Sequence, residues 1–87
     1  MTLLEQCQIW HENDEYQKII DAIEAVPAGE RTPELDSELA RAYNNAAEPG
    51  DRALFEKAIG LLKPHEDYFA GDHNWNFRMG YAYYYLD

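Results

Sequence analysis

Eighty-seven residues make one small domain, and a globular chain of this size hides only about 60 to 65% of its unfolded surface, so a large buried active site is not expected. Hydrophobic residues are 46% of the chain and aromatics 14%, enough apolar surface to offset the ordering entropy that keeps disordered segments unfolded. Seventeen Asp and Glu against seven Lys and Arg give a formal charge of −10, which repels phosphate backbones and anionic headgroups and argues against nucleic acid and membrane surfaces as partners. Met1 to Trp10 lacks the basic start and continuous apolar stretch of a signal peptide. No apolar run approaches the length of a membrane span, and the single cysteine, Cys7, cannot form a bridge within the chain. A soluble, reducing, cytoplasmic setting is expected.

In chain order, Thr2 and Glu5 form a Thr-x-x-Glu capping box ahead of Leu3, Cys7 and Trp10, which predicts a first helix. Tyr16, Ile19, Ile20, Ile23 and Val26 then recur at i, i+3, i+4, i+7 and i+10 and share one face of a second. Asp14 stands where its N-cap belongs, Gln17 follows three residues later as in a capping box, and Pro27 is the stop. Thr32 and Pro33 open a third helix carrying Leu35, Leu39 and Tyr43. A longer turn near residues 46–50 leads to a fourth, capped by Asp51, striped by Phe55, Ala58, Ile59 and Leu62, and closed by Lys63-Pro64. A fifth, from about His73, carries Trp75, Met79, Tyr83 and Leu86 to the end. No segment alternates as a half-buried strand does, so the expected fold class is all-α, with five antiparallel helices joined by short loops.

The helices repeat in pairs. Gln6 to Trp10 aligns with Leu39 to Tyr43 and with Met79 to Tyr83, and Tyr16 aligns with Phe55. With about six inserted residues assigned to the 46–50 turn, the unit is about 34 residues long. The sequence resembles the tetratricopeptide repeat family over its whole length. A small residue after a large apolar one, with an aromatic three further on, is matched by Leu39-Ala40 with Tyr43 and by Met79-Gly80 with Tyr83; Cys7 and Trp10 fill the last two roles in the first unit. The second-helix pattern is matched by Tyr16, Ile19, Ile23 and by Phe55, Ala58, Leu62. The early tryptophan of the family pattern is replaced by Leu3, Asp36 and Asn76, and the closing prolines are displaced. This resemblance implies antiparallel helix pairs stacked as a short right-handed solenoid of about two and a half repeats. The first spans about 1–31, the second about 32–71, and the first helix of the third about 72–87. Ala40 and Gly80 are then expected at close helix contacts, and Trp10, Tyr43 and Tyr83 in the wedges between pairs.

Candidate chemistry is sparse. His65, Glu66, Asp67, Asp72 and His73 cluster in one connector, but their spacing matches no specific metal motif and reads as a solvated acidic loop. His11 to Glu15 spans a helix end, a turn and a cap, and Cys7 reads as an inert core thiol. No catalytic residue, cofactor or metal is expected. The resemblance implies that the first helices of the pairs line a concave groove. Carried over by position, it assigns Leu4, Gln8, His11 and Glu12 from the first helix and Glu34, Ser37, Arg41, Asn44 and Asn45 from the third. The fifth contributes Asn74, Phe77, Arg78, Tyr81, Tyr84 and Tyr85. Asparagines beside an arginine and aromatic rings suit an extended peptide. A clamp for a C-terminal carboxylate, known in some family members, is disfavoured, because only Arg78 matches it and Leu4, Gln8, Glu38 and Asn74 occupy the other positions.

The expected function is a non-catalytic protein-interaction scaffold whose protein or peptide partner carries basic residues; the alternative is a structural, self-associating segment of a longer repeat protein. Trp75, Met79, Tyr83 and Leu86 recur along the fifth helix and Phe77, Tyr81, Tyr84 and Tyr85 occupy its other sides, so no orientation is expected to bury every ring and an apolar face stays exposed, which points to a following helix or to a two-fold homodimer through that helix.

Overall fold

Four of the five helices start where a short polar side chain can accept from a free backbone N–H. The structure is a computed structural model and describes residues 1–86. The Thr2 hydroxyl accepts from the Glu5 N–H at 3.1 Å and the Glu5 carboxylate from the Thr2 N–H at 3.0 Å, opening α1 (Leu3–Glu12). After α2 (Tyr16–Glu24), Thr32 accepts from the Leu35 N–H at 3.2 Å and Pro33 takes the first position of α3 (Pro33–Ala46). Asp51 caps α4 (Arg52–Leu62) through the Leu54 N–H, and Asp72 caps α5 (His73–Leu86) through the Trp75 N–H at 2.8 Å. Single 3₁₀ turns at Ala28–Glu30 and Lys63–His65 complete the elements, and there is no strand among the described residues. Arg31 closes the far end of α2, donating from Nε to the Ile23 and Val26 carbonyls.

α2 is the exception, and Asp14 is not its N-cap. Asp14 adopts φ 57°, its N–H donates to the His11 carbonyl at 3.1 Å, and the Glu15 N–H reaches back to the Trp10 carbonyl at 2.8 Å. This pair of bonds around a left-handed residue is a Schellman closure of α1. The connection between α1 and α2 is too short to end one helix and cap the next with the same residue. The C-terminal closure holds it, and the Asp14 carboxylate accepts from the Tyr16 hydroxyl at 2.8 Å instead. Glu15, at the start of α2, makes no side-chain cap.

Each helix packs on the next in sequence, and α1 with α3 and α3 with α5 also touch directly. The Cα radius of gyration is 12.1 Å, matching the roughly 12 Å of a rounded globular domain of this length. The core is one cluster from Cys7 through Ile19, Ile23, Leu39, Ala40, Phe55, Ala58 and Leu62 to Trp75 and Ala82. Trp75 ties α5 to the end of α4, its indole N–H donating to the Leu62 carbonyl at 2.8 Å. The Tyr43 hydroxyl joins α3 to α2 by donating to the Glu24 carboxylate.

Three expectations need correction. Gly80 is not at a close contact: a Cβ built there meets nothing within 4 Å, and the small buried residue of α5 is Ala82. Tyr83 fills no wedge, being 44% exposed, because α5 turns Trp75 and Ala82 into the core and Tyr83 away from it. The inserted residues do not all lie in the 46–50 turn. α3 continues to Ala46, the connection is 47–51, and Arg52 to Leu54 add most of a turn to α4 ahead of Phe55, whereas Tyr16 opens α2 directly.

Two measurements follow from these contacts. Replacing Asp14 by Gly relieves the left-handed backbone but removes the exposed bond from the Tyr16 hydroxyl, so stability should change by less than about 1 kcal/mol, whereas Asp14→Val, which loses the bond and suits the backbone worse, should cost about 1 to 2 kcal/mol. Chemical denaturation of both variants reads this. Burial, and then the bond to Glu24, pushes the Tyr43 hydroxyl up to about 12, above its value near 10 in the unfolded chain. The folded state therefore holds that proton more tightly. The stability this contributes is complete below pH 10 and declines as pH rises toward 12; Tyr43→Phe should flatten that decline in denaturation curves taken across the alkaline range.

Candidate functional site

The contacts of α3 with α1 and with α5 leave one polar groove along the three helices. Gln8 and His11 come from α1, Glu38, Arg41, Asn44 and Asn45 from α3, and Asn74, Phe77, Arg78 and Tyr81 from α5, around a cavity of about 470 Å³. Helical spacing explains the set: on α3, residues 38, 41 and 45 face one way, while Leu39, Ala42 and Tyr43 turn inward. An adjoining cleft of about 210 Å³ shares Glu38, Asn74 and Arg78 and adds Leu4, Glu34, Ser37, Phe69 and Asp72.

Arg78 forms the floor. Its guanidinium donates to the Ser37 hydroxyl at 2.6 Å and to the Glu38 carboxylate at 3.3 Å, with its side chain only 12% exposed. The Asn44 amide donates to the Arg78 carbonyl at 3.1 Å, so α3 holds this residue by both side chain and backbone. Arg41 approaches the other Glu38 oxygen at 3.6 Å. One carboxylate thus faces two guanidinium groups, a local excess of positive charge inside a chain of net charge −10. Burial, and then the Arg41 charge, lowers the His11 pKa below the usual histidine value, so its imidazole is neutral at pH 7 and adds nothing to that excess. Among the described residues, His11 Nδ1, Glu38 Oε2 and Asn44 Oδ1 are buried and find no hydrogen-bond partner.

Of the residues the sequence assigns to the groove, Gln8, His11, Arg41, Asn44, Asn45, Asn74, Phe77, Arg78 and Tyr81 line the cavity together. Tyr84 does not. It is 73% exposed and lies with Pro49, Gly50, Arg52 and Tyr85 at another surface, because it sits most of a turn past Tyr81 and away from α3. Tyr85, also assigned to the groove, stacks on Phe55 with ring centroids 5.2 Å apart. Leu4, Glu34 and Ser37 line the adjoining cleft. Glu38 is the groove residue that sequence reasoning left out. Its i, i+3 spacing to Arg41 was the available signal, since it puts the two opposite charges on one helix face.

The acidic connector after α4 folds back on the start of α3. His65 Nε2 lies 2.7 Å from the Asp36 carboxylate, and the Tyr68 hydroxyl donates to Glu34. Among the described residues, no three His, Cys, Asp or Glu side chains gather as a metal site would require. The Cys7 thiol is wholly buried, and burial, then the Glu38 charge, raises its pKa, which keeps it protonated. No described helix is long and apolar enough to cross a membrane. The chain matches no family model, and comparison with curated proteins and with solved structures gives no match, so a functional reading has to come from the groove's own chemistry.

Arg78→Ala should destabilise by about 3 kcal/mol, since it leaves the buried Ser37 hydroxyl without its donor and the Glu38 carboxylate with only the looser Arg41, and Arg78→Lys should not restore the loss because a single ammonium lacks the planar fork. Arg41→Ala, at a looser and more exposed pair, should cost less than about 1 kcal/mol. Urea denaturation of the three variants compares them.

Proposed function

We propose that the chain is a short helical-repeat module of the tetratricopeptide type that binds, without catalysis, an extended segment of a protein partner in the groove between α1, α3 and α5. The observation that carries this reading is the pairing of exposed amides on facing helices, Asn45 on α3 and Asn74 on α5, with the rings of Phe77 and Tyr81 on the same wall. An amide offers one donor face and one acceptor face, which is what a peptide backbone needs, and the rings bury the side chains that backbone carries. The repeat assignment draws on the aligned helix pairs in the sequence and on contacts of the kind such pairs make, α1 with α3 and α3 with α5.

The partner carries basic residues. A chain of charge −10 draws a cationic segment in from a distance, and the field acts over roughly 10 Å at 0.1 M salt. The basic side chains contact the carboxylates outside the groove, because the floor already holds Arg41 and Arg78. The buried thiol of Cys7 suits a reducing, cytoplasmic setting.

An array of basic and neutral peptides, followed by calorimetry on the hits, tests the proposal. Asn45→Ala combined with Asn74→Ala should weaken binding about thirtyfold, at about 1 kcal/mol for each of the two lost hydrogen bonds, with thermal stability unchanged. Binding should also weaken as salt rises. Hits that bind both forms equally, or an array without hits, would remove the groove as the site.

A further inference from the structure

The outward stripe of α5 differs from the surface around it. His73, Asn76, Phe77, Gly80, Tyr83 and Tyr84 recur at i, i+3, i+4, i+7, i+10 and i+11, share one side of the helix, and are all exposed. Phe77 is 65% exposed and Tyr84 73%, and the centre of the stripe is Gly80, where a Cβ would meet nothing. The stripe contains no Asp, Glu, Lys or Arg in a chain that is 28% charged. The one such residue of α5, Arg78, is turned to Ser37 and Glu38. Trp75, Met79 and Leu86 pack against the core, and the aromatic face that α5 leaves open is Phe77, Gly80, Tyr83 and Tyr84.

We propose that this stripe is the surface through which two copies of the chain form a two-fold dimer, α5 crossing α5 at Gly80. The stripe is complementary to itself. A ring stands three residues before the glycine and two rings stand three and four residues after it. An antiparallel crossing therefore sets Phe77 of one copy against Tyr83 and Tyr84 of the other, over the space the two glycines leave. Charge selects a second copy over a basic partner. A cationic segment is drawn to carboxylates, and the stripe has none, whereas two acidic molecules meet at little electrostatic cost where neither presents charge. The exposed parts of the three rings amount to roughly 350 Å² per copy, and with the polar residues between them a pair would bury roughly 1,000 Å². That area is at the low end for specific association, so the dimer is weak and reversible.

The dimer and the peptide complex respond to salt in opposite directions. Salt screens the repulsion between two like-charged copies and tightens the dimer, while it weakens the capture of a basic peptide. Sedimentation equilibrium of the 87-residue chain, from about 10 μM to about 1 mM and at roughly 0.02 and 0.5 M NaCl, reads the effect. The dimer fraction should rise with concentration, and the dissociation constant should tighten several-fold at the higher salt. Gly80→Glu, which opposes two carboxylates across the axis, should weaken dimerisation at least tenfold with helicity unchanged by circular dichroism. Tyr84→Glu, at an exposed position outside the groove, should do the same and serves if Gly80→Glu loses helicity. A monomer throughout at 0.5 M salt, a dimer that loosens with salt, or a dimer indifferent to both substitutions would overturn the proposal. Phe77 borders both the groove and the stripe, so the dimer competes with a bound peptide for that ring, and the two readings are separated by Tyr84→Glu, which lies outside the groove and should weaken the dimer while leaving peptide binding to the monomer intact.

Discussion

A guanidinium held between two helices sets the geometry of this protein. Arg78 is drawn out of solvent by Ser37 and Glu38, and its own carbonyl receives the Asn44 amide, so α5 is fixed against α3 in both rotation and height. Nearby, the same helix sends Trp75 to the end of α4 and lays Tyr85 on Phe55. With α5 held in that rotation, one of its sides faces the groove, one the core and one the solvent. A lysine could supply the charge but could not reach both partners at once, because its donors do not form a fixed fork.

Much of the fold was legible in the sequence, and the reason is physical. Five apolar stripes at helical spacing, with Thr2, Thr32 and Asp51 in cap positions, are local signals read over a few residues, and the caps form as read. Asp14 was misread because aspartate suits both an N-cap and a left-handed closure, and the choice between them was made by the shortness of the turn. Gly80 was misread differently. A small residue marks a close contact only if something approaches it, and that depends on how α5 is rotated about its axis. The rotation is fixed by Arg78 and Trp75 acting across the structure, so neither Gly80 nor Tyr83 could be placed from α5 alone. Tyr84 fell outside the groove for the same reason, and most of the other groove positions, being separated by whole turns on α1 and α3, did not depend on it.

Charge is divided by location. The chain as a whole is strongly acidic, yet the groove floor carries two arginines for one glutamate and the open stripe of α5 carries neither sign. The long-range field and the short-range contacts therefore select different things. In the proposed binding mode the field governs what approaches, and the groove governs what fits.

The bonds that join α5 and its connector to α3 have a consequence for the order of folding. α1 to α4 each pack on a sequence neighbour, which lets them form early at little loop-closure cost. The links from His65 to Asp36, Tyr68 to Glu34 and Arg78 to Ser37 span 29, 34 and 41 residues. Loop-closure entropy predicts that they close after the neighbour contacts, including that of α5 with α4, and the groove lacks its bonded floor until they do. The groove is thus expected to be the last surface to mature, and anything lying across α3 and α5 would act as a latch on the final step.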